Sequence, residues 1–448
     1  MKKSVLLSLF CLFLWQGVLA QGAQVKLVPG LNSSNSTIRE WQNGQSVGYA
    51  TDASGNHYFI LITANSSTVA TALLPTNLKI TDFRILHDTM YFCGVDNSNN
   101  FGIVGFCNLS DLFSGTDGIK YGHLHNSTVP GSPYVTYPRR MDLYTAGGNV
   151  HVAFVGEMYD PTPNTPFPIR STAGSVTYNG IDWVGEFCSN VGYVMEYTDV
   201  ATSGPHAVVA AKKHNSYIYY AHVLNTSANL MSNQLLTGYA FEMPGNTPLG
   251  DILVEALSDH DYAMAYHFGN TIVGTEIQVI HVDAIAQQIS VQNTVNMPHG
   301  TASLYSSSWS MKQMCYDIAT HQLLLLQDAC DMVLPSIESS VYKFDMANLS
   351  LGTAARSCIT GSRLDKLDAK AGGGYLTIGR DAAGTLIMTD EGYQQSTLCR
   401  FESTPNYTLY GGTPTATRWN YTPSTIWSTP YNNTLPLGVM YIEDLCIE

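Results

Sequence analysis

The chain has 448 residues, and only 12% of them are charged, with 21 Lys+Arg set against 35 Asp+Glu. A net charge of −14 disfavours nucleic acid and anionic lipid as partners, because phosphate binding draws on cationic side chains. The low charge and the wealth of Gly, Ser, Thr, Asn and Tyr also exclude a helical bundle, whose long faces need Glu, Lys, Arg, Leu and Ala.

Residues 1–20 read as a secretory signal, with Lys2 and Lys3 ahead of an apolar stretch from Val5 to Trp15. Val18-Leu19-Ala20 follows at the cleavage positions. The predicted location is therefore exported: periplasmic, cell-surface or extracellular. Phe10 before Cys11 argues against lipid attachment. Without the signal, 19 Lys+Arg face 35 Asp+Glu, a net charge of −16. No later stretch is long and apolar enough for a transmembrane segment. Arg139-Arg140 and Lys212-Lys213-His214 read as solvated charge.

From residue 21 onward the pattern predicts an all-β chain. Apolar, β-branched or aromatic runs stand next to turn signals at His57–Thr63, Met90–Cys93, Val150–Val155, Tyr217–His222, Tyr262–Phe268, Gln322–Leu326 and Tyr375–Ile378. No amphipathic helix of ten residues is visible, and Asp283–Gln288 reads as a single helical turn. Asp160–Pro168 is a proline-rich surface loop. Several segments repeat one plan, a strand, a turn and a second strand. Their turn markers, Gly55, Asp88, Gly148, Asn215, His260, Thr320 and Gly384, lie 33, 60, 67, 45, 60 and 64 residues apart. The mean of about 55 is somewhat longer than a four-stranded propeller blade. A single β-propeller over 21–448, with seven blades and six or eight as neighbouring counts, is the leading expectation. Tandem β-sandwiches are the alternative. Residues 404–436 form a loop-rich tail, and 437–442 a closing strand.

The segment Thr51-Asp52-Ala53-Ser54-Gly55-Asn56-His57-Tyr58 resembles the T-D-A-S-G-N-x-Y repeat of bacterial β-propeller proteins. Asp381-Ala382-Ala383-Gly384 and Gly148-Asn149-Val150-His151 are weaker copies. The resemblance implies a fold and no particular activity.

Eight cysteines remain beyond Cys11. Cys93 with Cys107, and Cys315 with Cys330, are close enough to bridge hairpins as structural disulfides, given a bulge or longer loop. No C-x-x-C pair supports zinc or redox chemistry. Ten N-x-[ST] sequons, including Asn32, Asn108 and Asn225, are glycosylation acceptors only in a eukaryotic secretory pathway. The Met-Lys-Lys start with its compact apolar stretch favours a bacterial origin, where they would be silent.

Asp52-x-Ser54-x-Asn56 and Asp96-x-Ser98-x-Asn100 space oxygens as calcium loops do, but lack the sixth-position Gly and twelfth-position Glu of an EF-hand. Asx turns explain them as well. Asp259-His260-Asp261 with His267, and His123 with His125, fall short of a metal site, so neither metal nor other cofactor is expected. Asp142, Glu157, Asp160, Glu186, Glu255 and Glu276 are candidate carboxylates, with nothing to say which two converge. Serine-hydrolase, zinc-protease, sialidase and nucleotide motifs are absent. Tyr217, Tyr219, Tyr262 and Tyr266 read as packing residues on strands. The expectation is an exported, non-catalytic binding propeller that presents loops at the channel mouth to a protein or glycan. A secreted carbohydrate-active or other hydrolytic enzyme on the same scaffold is the alternative. Converging carboxylates with perturbed pKa would mark the enzyme, aromatic and neutral polar groups the binder.

Overall fold

The computed structural model describes residues 24–28, 31–42, 45–63, 69–115, 118–124, 135–146, 148–159, 169–178, 183–189, 195–203, 206–213, 219–225, 238–243, 248–269, 272–301, 310–330, 337–347, 355–358, 363–380, 386–390 and 399–402. The signal segment, Asp160–Pro168, the tail 404–436 and the strand expected at 437–442 lie outside them.

The described strands form seven antiparallel sheets, six of four strands and one of five. Their first strands are Leu31–Glu40, Leu78–Leu86, Val135–Ala146, Met195–Ser203, Pro248–Ala256, Ser310–Asp317 and Arg363–Ala369, which begin 47 to 62 residues apart. We number the sheets 1 to 7 in that order. Each first strand touches the first strand of the sheets before and after it, and the last touches the first, so the seven close a ring. The fold is a β-propeller, and tandem sandwiches are ruled out.

Both faces of a sheet are covered in such a ring, so its strands need apolar residues at consecutive positions rather than alternate ones. Leu323 to Leu326 illustrate this. Leu323 and Leu325 pack in the cluster shared with sheet 5, while Leu324 and Leu326 pack in the one shared with sheet 7. In the same way Val152 and Phe154 face sheet 2, and Ala153 and Val155 face sheet 4.

The ring is closed by chain from both ends. Sheet 7 takes three strands from 363–390, and its outer strand is Gln24–Val28, paired antiparallel with Leu386–Asp390. The chain then returns to sheet 6 and adds Cys399–Glu402 as a fifth strand.

Successive turns of an up-and-down sheet lie at opposite ends, which explains the uneven spacing of the turn markers. Asp88, Gly148, His260 and Thr320 fall between first and second strands, whereas Gly55, Asn215 and Gly384 fall between second and third. Asp283–Gln288 is not helical: Gln287 at φ 53° completes a tight turn between two strands of sheet 5. The α-helix among the described residues, α1 (Leu109–Ser114), is capped by Asn108 and ends at Gly115 with φ 76°. Asn108 also donates to Asp88 at 2.8 Å, so that sequon's amide is already engaged.

Neither expected hairpin disulfide is formed, because Cys93 and Cys315 are buried thiols with no bridge. Register is the reason. Cys93 lies opposite Val104 while Cys107 lies opposite Met90, which places the two thiols in clusters on opposite faces of sheet 2. Cys315 lies opposite Leu324, six positions short of Cys330.

Candidate functional site: the axial belt and one mouth

All seven first strands carry a register shift against their second strands, and in five of them charged residues stand just beyond it. Directly after it, or two residues further on, stand Arg39, Asp82, Arg84, Arg140, Asp142, Asp199, Lys366 and Asp368. The shift needs room on the second strand. A Cβ on Gly94, Gly156 or Gly379 would lie 2.1, 2.1 and 2.3 Å from the first-strand carbonyls of Lys79, Tyr137 and Arg363.

These side chains stitch each sheet to the next. Arg39 donates through Nε to Phe83 O (2.9 Å) and pairs with Asp82 (3.0 Å) and Asp368 (3.3 Å). Asp82 accepts from Met141 N at 3.1 Å, and Arg84 pairs with Asp142 at 3.1 Å. Asp142 accepts from Thr202 N (2.8 Å) and Oγ1 (2.9 Å), and Asp199 from Val254 N (3.0 Å). Glu255 accepts from Tyr316 N at 3.3 Å, and Asp368 from Glu40 N at 3.0 Å. Between sheets 6 and 7, Ser339 Oγ accepts from Leu364 N at 2.7 Å and Lys312 Nζ donates to Leu364 O. Arg140 pairs with Asp199 at 3.3 Å and donates to Lys312 O at 3.1 Å, reaching from sheet 3 to sheet 6. Its guanidinium thus bridges the axis.

Burial raises the carboxyl pKa of Asp142, Asp199 and Asp368. Glu255 is raised furthest, by burial and then by Asp142 and Asp199, and it has no ion-pair partner among the described residues. Lys366 is lowered to about 8 by burial and by Arg140.

Of the carboxylates singled out in the sequence, Asp142 and Glu255 belong to this belt. Glu157 pairs with Arg139 near the surface, and Glu276 is buried against Tyr266 and Gln278. Asp160 lies outside the described residues. Sequence reading missed the rest, although charged residues two apart in apolar strands (Asp82/Arg84, Arg140/Asp142, Lys366/Asp368) were a visible signal.

The calcium-like loops are Asx turns. Asp52 accepts from Ser54 N, Asn56 N, Asn56 Nδ2 and Tyr58 Oη, which accounts for the T-D-A-S-G-N-x-Y spacing. Asp96 is held below the usual carboxylate range, against its burial, by bonds from Ser98, Asn77 and His123. Among the described residues no group of three or more His, Cys, Asp or Glu is gathered for a metal ion. Burial lowers His267 to about 4.

The end of the ring that carries the first-to-second turns is lined differently. Tyr144 stacks on His151 at 4.4 Å, His260 meets His281 edge-on at 5.9 Å, and Tyr316 lies 6.5 Å from His321 and 3.0 Å from its Nδ1. Asp261 holds His281 through Nδ1 at 2.8 Å. Ring pairs of sheets 3, 5 and 6 therefore lie at the same end of the ring.

Fold and site together define a β-propeller with a closed polar belt between its first strands and aromatic and histidine ring pairs at its ends. No known family matches the sequence, and no curated protein does. Solved structures similar to it include proteins named as β-propellers. An oligogalacturonate lyase in complex with manganese is 8% identical, with a TM-score of 0.48 over 83% of this chain and 94% of its own. The β-propeller domain of the Trilobed protease from Pyrococcus furiosus is 8% identical, with 0.45 over 84% and 96%. YCF48 bound to D1 peptide is 8% identical, with 0.44 over 85% and 98%. With 8% identity and TM-scores below 0.5, these likenesses carry no argument, and the fold rests on the sheet topology.

Proposed function

We propose that the protein is an exported, non-catalytic binding propeller that holds a protein or glycan at the end of the ring where His151, His260, His281, Tyr316 and His321 stand. One observation carries this reading: ring pairs of three sheets, with His260 and His321 exposed, stand at the same end of the ring. Rings with polar edges suit sugar faces and peptide side chains. The belt supports it from below, since its carboxylates are engaged by backbone N–H groups of neighbouring sheets and Arg140 bridges the axis. The test is binding of the purified mature chain to glycan and peptide arrays. A selective ligand should be weakened at least tenfold by Tyr316→Ala or His260→Ala. A ligand indifferent to both substitutions would locate binding elsewhere.

A hydrolytic enzyme has one observation in its favour, Glu255 with its raised pKa and no cation partner among the described residues. It predicts turnover of a glycoside or peptide that Glu255→Gln abolishes while the fold stays intact.

A further inference from the structure

Three of the cysteines beyond the signal segment are buried singly in separate environments. Two others are brought face to face. The outer strands of sheet 6, Ala355–Cys358 and Cys399–Glu402, pair antiparallel with Ala355 opposite Glu402 and Cys358 opposite Cys399. Directly opposed residues of an antiparallel pair have Cα atoms about 4.5 to 5.5 Å apart, inside the span a disulfide bridges. We infer that Cys358 and Cys399 form a disulfide that fastens the fifth strand to sheet 6.

The placement gives the bond a purpose. Cys399–Glu402 is only four residues long and holds one edge, so its ladder alone is a weak clasp. The chain between the two cysteines supplies the first three strands of sheet 7, the sheet on which Gln24–Val28 closes the ring. The bond would therefore enclose the closing sheet in a covalent loop. In forming it, the two thiols give up two protons and two electrons and one S–S bond is made. The oxidant, a disulfide of an exported thiol oxidoreductase or glutathione disulfide, is cleaved to two thiols.

The experiment is peptide mapping of the full chain under non-reducing conditions after blocking free thiols. It is run on exported protein and, separately, on reduced protein treated with glutathione disulfide, so that the second arm is independent of export. A linked peptide pair containing Cys358 and Cys399 is expected in both arms. A melting-temperature deficit of Cys399→Ser relative to the unsubstituted chain should disappear when dithiothreitol is added. Recovery of both cysteines as blocked thiols from the folded glutathione-treated chain, or linkage of either to a different cysteine, would overturn the inference. Should Cys399→Ser fail to fold, the mapping of the unsubstituted chain decides alone.

Discussion

Arg39 shows what one side chain does in the belt. It is 3% exposed, yet its guanidinium meets carboxylates from sheets 2 and 7 and the carbonyl of Phe83. Removing one partner of a buried ion pair leaves the other charge uncompensated, which costs about 3–5 kcal/mol. Arg39→Ala should lose stability on that scale in denaturant unfolding. Glu255 and Lys366 should behave oppositely, because burial disfavours their charged forms. Glu255 has its folded pKa above the ordinary value of 4.5, so the native state holds its proton more tightly. Its contribution is fully present below that pH and is lost as pH rises through the folded pKa. Glu255→Gln should therefore stabilise the protein at pH 7 to 8 and lose that advantage near pH 4, as thermal melts across pH would show. Lys366, lowered from 10.5 to about 8, costs stability at neutral pH. Lys366→Met should raise the melting temperature at pH 7, with a gain that shrinks between pH 8 and 10.5.

Among elements, the first strands were the least legible in sequence. The hydrophobic runs that were readable, such as His57–Thr63 and Gln322–Leu326, are strands flanked by neighbours on both faces. The first strands instead mix apolar and charged residues around a register shift, and period-two reasoning fails where the period itself slips. Cysteine spacing misled for a related reason: Cys93 and Cys107 are close along the hairpin, but register sends them to opposite faces. The T-D-A-S-G-N-x-Y segment was legible because its bonds are local to one turn. A register shift also leaves a mark on the second strand, a glycine with backbone pressed against it. Gly156→Ala would push a methyl group to within 2.1 Å of Tyr137 O. Gly94, Gly156 and Gly379 changed singly to Ala should each destabilise by about 1–3 kcal/mol. Gly55→Ala meets no neighbouring atom within 4 Å and bears only the strain of φ 83°. It should cost about 1 kcal/mol. A common cost at all four positions in denaturant unfolding would contradict the role given to the shift.

For the whole molecule, a ring has stability that no single sheet possesses, since every sheet buries a face only while its neighbour stands beside it. The ring is joined where Gln24–Val28 meets Leu386–Asp390. There the join is the ladder that pairs Gln24 with Asp390 through to Val28 with Leu386. Gln24–Val28, like Cys399–Glu402, joins its sheet from outside the run of that sheet's other strands, so nothing but its ladder and packing holds it in register. Proline lacks the N–H a ladder needs. Val25→Pro and Leu27→Pro stand two positions apart on one strand edge, while Lys26→Pro tests the alternate edge. If the ladder closes the ring, at least one of the two edges should prove intolerant. That substitution should lower the melting temperature by several degrees, because losing one net hydrogen bond and distorting its neighbours costs about 1–3 kcal/mol. It should also bare the edge of Leu386–Asp390, and an exposed edge recruits other strands. Size-exclusion chromatography of the intolerant variant should therefore show concentration-dependent association. Loss of stability without association would mean that the edge stays covered when the join opens.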